Sequence, residues 1–287
     1  MSYQLHLGHL PLLVSMPHIG TEIPDDLQKN YVKRALGVED TDWHLERLYG
    51  GVLEMGASVL TPRYSRYVID LNRPPDDAPM YPGSSNTELC PTRFFTGEPL
   101  YLAGQEPDVH ERARRRREYW QPYHAALAKE LQRLIALHGY ALLWDAHSIR
   151  SEIPWLFKGK LPDLNIGSAD GGSSHAAITR ALQDVCNNHP KVSHVLNGRF
   201  KGGYITRHYG NPAQHVHAVQ LEMCQLLYMQ EEAPFAYDEM RASAITPQLR
   251  SMLRGALQAC KGMMLVLLRI TKRLCSIKKI IQKHTLI

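Results

Sequence analysis

The chain has 287 residues, 44% of them hydrophobic and 21% charged, and a formal net charge of +5. At roughly 100–200 residues per domain this is one large domain or two small ones, long enough to bury a core without staples. The composition excludes collagen-like, disordered and disulfide-scaffold classes. The positive charge is local. Residues 261–287 hold seven basic and no acidic side chains, and +5 less seven leaves −2 for residues 1–260. A basic tail, not a nucleic-acid-binding face, carries the basicity. The opening MSYQLHLGHLPLLVSMPH lacks a positive n-region, and Gly8 and Pro11 break its apolar run, so it does not read as a signal peptide. No run of about 20 apolar residues suggests a membrane span. Cys90, Cys186, Cys224, Cys260 and Cys275 are scattered without paired spacing, which predicts a cytoplasmic protein with no disulfide framework or thiolate zinc cluster.

Along the chain, residues 12–16 form an apolar run after Pro11 and predict a buried strand that delivers His18 to a turn. Asp40 and Thr41 precede helically spaced Trp43, Leu45, Leu48, Tyr49, Val52 and Leu53, a helix N-terminal signature. Residues 57–60 and 67–71 read as strands. Residues 72–107 are rich in Pro, Gly, Asp, Asn and Thr and too long for a simple connection, so they predict a functional covering loop. A helix follows over 108–138, which Pro122 should break or kink. Its Arg112, Arg114, Arg115, Arg116 and Arg117 share it with Glu111 and Glu118 and read as a solvated face. Residues 140–144 predict a strand ending in Asp145-Ala146-His147-Ser148. A helix over 173–188 and strands over 192–196 and 218–223, the last carrying Glu222, complete the pattern. This alternation predicts an α/β fold with a largely parallel sheet in one domain, 1–262, followed by an atypical basic tail, 263–287.

Chemistry-bearing residues sit just past the apolar strands, where open α/β sheets place their ligand crevice. His18, Asp145 with His147, and Glu222 occupy such places, and Asp42 at the first helix can join them. Two imidazoles, a carboxylate and an open position describe a catalytic zinc site, with Glu222 left over as general base. A lone histidine at a strand end is more often simply hydrogen-bonded, and no HExxH, Walker or GxSxG signature is present. The residues alone therefore reach an α/β hydrolase-like chain with a candidate metal site. Gly202-Gly203 beside Arg199, Lys201 and Arg207 reads equally as an anion nest or an ordinary turn. His215 and His217 read as rim histidines, and Met223, Leu226, Leu227 and Met229 as core or interface.

Six segments go further: PLLVSMPHIGTEIP at 11–24, DTDWHLERLY at 40–49, SRYVIDLNRP at 65–74, DAHSIRSEIPWLFKGKLPDLNIG at 145–167, NGRFKGGYITRHYG at 197–210 and HAVQLEM at 217–223. In this order the chain resembles the N-formylglutamate amidohydrolase family over roughly residues 3–240. The resemblance implies a fold similar to zinc-dependent exopeptidases and amidohydrolases, with a mixed sheet between helices. It implies hydrolysis of N-formyl-L-glutamate to L-glutamate and formate in bacterial histidine degradation. His18, Asp42 and His147 would hold Zn²⁺ or another divalent metal. Asp42 is preferred over Asp40 for its spacing to Leu48-Tyr49, leaving Asp40 as a helix N-cap or an acid behind the ligands. Asp145 would orient an imidazole or contact the attacking water, and Glu222 would be the base. Arg66, Arg73, Arg150 and Arg207 are the guanidinium candidates for a dicarboxylate substrate, led by Arg73 and Arg207. Asn72, Tyr204 and His208 would finish the pocket, and Tyr81, Arg93 and Phe94 would help the covering loop to close.

Rival readings are another N-acyl amino-acid or cell-wall amidohydrolase on the same scaffold, or a non-catalytic partner- or membrane-binding protein using the tail. Two departures from the family stand out. Glu88 occupies a place where glycine is usual, predicting backbone strain and repulsion of an anionic substrate. After residue 262 the family likeness ends. There Ile270, Leu274, Ile277 and Ile281 are spaced along one helix face among basic residues, as in a surface-binding helix, a packing helix or a frameshift-like replacement.

Overall fold

A computed structural model describes the backbone of residues 1–80 and 87–284 and the side chains of residues 1–80 and 87–265. Seven strands are β1 (Tyr3–His6), β2 (Leu12–Ser15), β3 (Ser58–Pro62), β4 (Ala141–Ile149), β5 (Leu164–Gly167), β6 (His194–Leu196) and β7 (Val216–Cys224). They form one sheet in the order β1-β3-β2-β4-β7-β5-β6. The central strands β3, β2, β4 and β7 run parallel. β1 is antiparallel on one flank, and β5 is antiparallel to β7 with β6 parallel to β5 on the other. The sheet is mixed and largely parallel, as the sequence predicts.

Alternation of side chains across the pleat fills two cores. Leu12, Val14, Leu142 and Trp144 face one, with helices α2 (Ala176–Asn187) and α4 (Glu239–His284) over them. Leu13, Ala141, Leu143 and Ala218 face the other, under α1 (Gln121–His138) and beside Ile205 of α3 (Tyr204–Tyr209). Every residue of β4 and β7 is buried, so a polar side chain on either strand sits there only where partners receive it. Among the described residues no helix is long and apolar enough to cross a membrane.

Several expectations need correction. Residues 67–71 are not a strand: Val68 and Arg73 donate turn hydrogen bonds to Ser65 and Asp70, and Asp70 N–H bonds Leu89 O. Their apolar run reflects burial between clusters, Tyr67 and Val68 in one and Ile69 and Leu71 in another. The helix expected after Asp40 is two short pieces, Leu45–Leu48 and Gly51–Met55, with His44 in the left-handed region at φ 61°. Asp40 caps neither. Pro122 falls at the start of α1, directly after a π-helical stretch, Arg116–Trp120, that separates it from the helix Val109–Arg115. In the widened turn Gln121 N–H reaches back to Arg116 O. Arg115 is not on a solvated face but wholly buried, bonding Tyr31, Tyr101 and Val68 O. β1, β5 and α3 are too short for their periodicity to show. The backbone of α4 runs through residues 262 and 263 without interruption. The side chains of Ile270, Leu274, Ile277 and Ile281 lie outside the described residues.

Candidate metal centre

Because β2, β4 and β7 are parallel, their carboxyl ends open on one edge. β2 leads through Met16 and Pro17 to His18. Asp145 and His147 lie two apart on β4 and share a face. The register sets Gln220 beside Asp145 and Glu222 beside His147. Asp42 arrives ahead of Leu45–Leu48 and is tied at both ends. Its N–H donates to His18 O at 3.1 Å, and its Oδ2 accepts Ser148 N–H at 3.1 Å.

The three side chains are buried and turned toward one another. Asp42 Oδ2 lies 3.7 Å from His18 Nδ1 and 3.3 Å from His147 Nδ1, and the two Nδ1 atoms are 3.1 Å apart. His18 Nε2 meets Asp70 Oδ1 at 2.7 Å. Asp70 also accepts Arg66 Nη2 at 2.7 Å and Asn72 N–H at 2.8 Å. A carboxylate at Nε2 keeps the proton there and leaves Nδ1 as an electron-pair donor, the arrangement found behind metal-bound histidines. His147 Nε2 is 3.0 Å from Asp145 Oδ1, an ion pair poorly aligned for a hydrogen bond, and 2.9 Å from Asn72 Nδ2. Asp145 Oδ2 accepts the Thr206 hydroxyl at 3.1 Å.

Burial alone would raise the Asp42 carboxyl, but hydrogen bonds and charge from His147 and His18 hold it well below the usual range. Burial acts likewise on Asp70, and His18, Arg66 and Arg73 overcome it. For His147, burial favours the neutral ring, and Asp145 and Asp42 more than offset it, so its pKa rises. Two imidazole nitrogens and a carboxylate oxygen, all within 4.8 Å of one another, suit a divalent cation.

Glu222 lines the cleft beside this cluster. Among the described residues its side-chain oxygens receive one hydrogen bond, from Gln220 Nε2 at 3.4 Å. Burial pushes its carboxyl up to about 8, opposed by His147 and aided by Asp42. Arg66, Arg73 and Arg199 supply the cleft's positive wall, and Phe95, Leu156 and Phe200 an apolar one.

A family model described as N-formylglutamate amidohydrolase matches residues 10–229. The chain belongs to that family. It is 52% identical over 252 residues to an N-formylglutamate deformylase of Pseudomonas putida, covering 88% of this chain and 94% of that one. It is 53% identical over 250 residues to an N-formylglutamate deformylase of Pseudomonas aeruginosa, covering 87% and 94%. The crystal structure of an N-formylglutamate amidohydrolase from Ralstonia eutropha shares the fold with a TM-score of 0.74 at 24% identity, covering 91% of this chain and 97% of the other.

Within this amidohydrolase fold the residues nominated from sequence divide sharply. His18, Asp42, His147, Asp145, Glu222, Asn72, Arg66 and Arg73 gather at the cleft or directly behind it. Arg66 is buried, paired with Asp70 and seated on the Phe95 ring at 4.6 Å. Arg73 binds Thr87 O at 2.9 Å and Thr87 Oγ1 at 2.7 Å. Arg150, Arg207, Tyr204 and His208 do not line the cleft. Arg150 turns to Asp40 Oδ1 at 3.1 Å, and exposed Arg207 donates to Gly202 O at 2.8 Å. Tyr204 stacks on His208 at 4.8 Å. Asp40 is a tie rather than a cap, accepting Tyr67 OH at 2.8 Å and Phe95 N–H at 2.9 Å. From the covering loop, Phe95 and Thr87 reach the cleft. Phe94 is buried under Arg34 and Arg93 is exposed, while Tyr81 lies outside the described residues. Glu88 does not adopt a left-handed backbone. It points to solvent and caps Thr92 N–H at 3.3 Å, so the expected strain does not arise. Sequence reasoning missed Asp70, hidden in an apolar run, and Gln220, Leu156 and Phe200.

Proposed function

We propose that this chain hydrolyses N-formyl-L-glutamate to L-glutamate and formate, ending one branch of bacterial histidine degradation, with His18, Asp42 and His147 holding a divalent metal, zinc by preference. The observation that carries the reading is the meeting, in one cleft, of the donor cluster, buried Glu222 and a wall of arginines. The two deformylase relatives support the same substrate. A formamide is a poor electrophile, and water near neutrality a poor nucleophile. A divalent ion at these donors supplies Lewis-acid polarisation of the formyl oxygen and a lowered pKa for water. Glu222 accepts the proton of the attacking water and returns it to the departing nitrogen, so glutamate leaves as a neutral amine. Asp70 holds the His18 ring, Asp145 and Asn72 hold His147, and Arg73 offers its guanidinium to a substrate carboxylate. The apolar wall keeps water from the reacting bond. We place this reaction in the cytoplasm, in a domain over residues 1–262, with residues 263–287 an appended basic segment.

The test is formate release by zinc-loaded protein from N-formyl-L-glutamate, with N-acetyl-L-glutamate and N-formyl-L-aspartate as comparators. No formate release after zinc loading overturns the reading. Glu222→Gln should retain zinc and lose about 10²- to 10⁴-fold in kcat. Turnover kept by that variant would remove Glu222 from the base role.

A further inference from the structure

The deformylase reading, on which this inference rests, asks for two carboxylate anchors. Among the arginines nominated from sequence, Arg150 and Arg207 miss the cleft, and Arg66 is engaged by Asp70 at 2.7 Å and faces Asp42 at 3.8 Å. Of that set Arg73 remains, because among the described residues its bonds go to uncharged groups, Thr87 O, Thr87 Oγ1 and Asn72 O, and leave its charge uncompensated by a carboxylate contact. A further guanidinium lines the cleft: Arg199, in the turn that follows β6.

We infer that Arg199 recognises the distal, γ-carboxylate of the substrate and so sets side-chain specificity, while Arg73 takes the α-carboxylate. The division follows from where each arginine enters. The α-carboxylate is one carbon from the scissile nitrogen and must lie close to the donor cluster. Arg73 is the chain neighbour of Asn72, whose Nδ2 touches His147 at 2.9 Å. The γ-carboxylate lies two methylenes farther out. Arg199 comes from the opposite flank of the sheet, where β6 is the last strand, two removed from β7. Its neighbour Phe200 and Leu156 provide apolar surface for those methylenes.

The turn bearing Arg199 is firmly built. Asn197 sits at φ 53° with its Oδ1 accepting Ser168 N–H at 2.8 Å. A Cβ on Gly198 would lie 2.9 Å from a Val195 methyl, and Gly203 N–H donates to Gln220 Oε1 at 2.6 Å. A charged side chain on so constrained a backbone reads substrate length as well as charge.

The experiment compares kcat/KM for N-formyl-L-glutamate and N-formyl-L-glutamine, its isostere with an uncharged side chain, in the zinc-loaded enzyme, Arg199→Gln and Arg73→Gln. Losing a two-pronged ionic contact should lower Arg199→Gln about 100-fold on the glutamate substrate, mainly through KM, and only a few-fold on the glutamine one. Arg73→Gln should fall on both. Arg199→Lys should recover part of the glutamate preference, and it carries the same comparison if Arg199→Gln does not fold. Equal losses on both substrates, or an unchanged glutamate preference, would overturn the assignment. Absence of formate release by the unaltered enzyme would instead overturn the deformylase reading.

Discussion

The donor side of the cleft is anchored on parallel strands, with His18 and Asp42 on short connections tied to them, whereas its cationic side grows out of longer connections. His147 and Glu222 stand on β4 and β7, buried along their whole length and locked in register, and His18 follows β2 by three residues. Arg73, Thr87, Phe95 and Arg199 stand on connections held by local hydrogen bonds, such as Asp70 N–H to Leu89 O at 2.7 Å and Ser168 N–H to Asn197 Oδ1 at 2.8 Å. Metal ligands must agree to tenths of an ångström, and strands in register, with Asp42 tied to His18 O and Ser148 N–H, deliver that. Carboxylate anchors must reach a substrate lying outside the sheet edge, and loops on a rigid scaffold suit that task.

The sharpest way to break the comparison is to remove a strand-borne donor. His147→Ala should abolish tight zinc retention and turnover, read by metal analysis after dialysis. Asp70→Asn, which keeps the side chain's shape but not its charge at His18 Nε2, should weaken zinc about 10- to 100-fold in a chelator competition. Equal zinc affinity in Asp70→Asn and the unaltered protein would show that the supporting carboxylate is dispensable.

The same contrast explains what could be read from the sequence. Strand ends are legible because a buried strand is a continuous apolar run, so a histidine or carboxylate just beyond it stands out, as His18 and His147 do. Asp42 needed family likeness to be preferred over Asp40, since two acids two residues apart in a loop give no periodicity to choose by. Asp70 was invisible because its flanks, Val68, Ile69 and Leu71, mimic a strand while the backbone turns to aim the carboxylate at His18. Among arginines, sequence distance says nothing about which way a loop side chain points. Arg150 directly follows β4 yet turns away to Asp40.

Arginine substitutions sharpen the loop side of the comparison at a smaller scale. Arg73→Gln should raise KM for N-formyl-L-glutamate by about 10- to 100-fold. Arg207→Gln, altering an exposed side chain off the cleft, should change KM less than about 3-fold. A large KM effect at Arg207 would mean that α3 reorients when substrate binds, and the static division between the two arginines would fail.

The smallest effect concerns the joint between the two regions. His124 of α1 stacks on Trp120 at 3.7 Å and holds Leu71 O through Nε2 at 2.9 Å, tying the helix to the segment that bears Asn72 and Arg73. Its Nδ1 faces Tyr209 OH at 3.0 Å. Burial drives its pKa down to about 3, so the folded protein keeps the ring neutral where an unfolded chain binds a proton below about pH 6.5. The unfolded state then carries more protons, and stability rises with pH across that window. The contribution is therefore complete above pH 6.5 and is lost as pH falls toward 3, with a slope of at most about 1.4 kcal/mol per pH unit. In denaturant titrations from pH 7 to 4, His124→Gln should unfold more easily at pH 7 but lose stability less steeply on acidification. Parallel slopes for the two proteins would mean that the ring is not held neutral, and that the tie between helix and loop is looser than its packing implies.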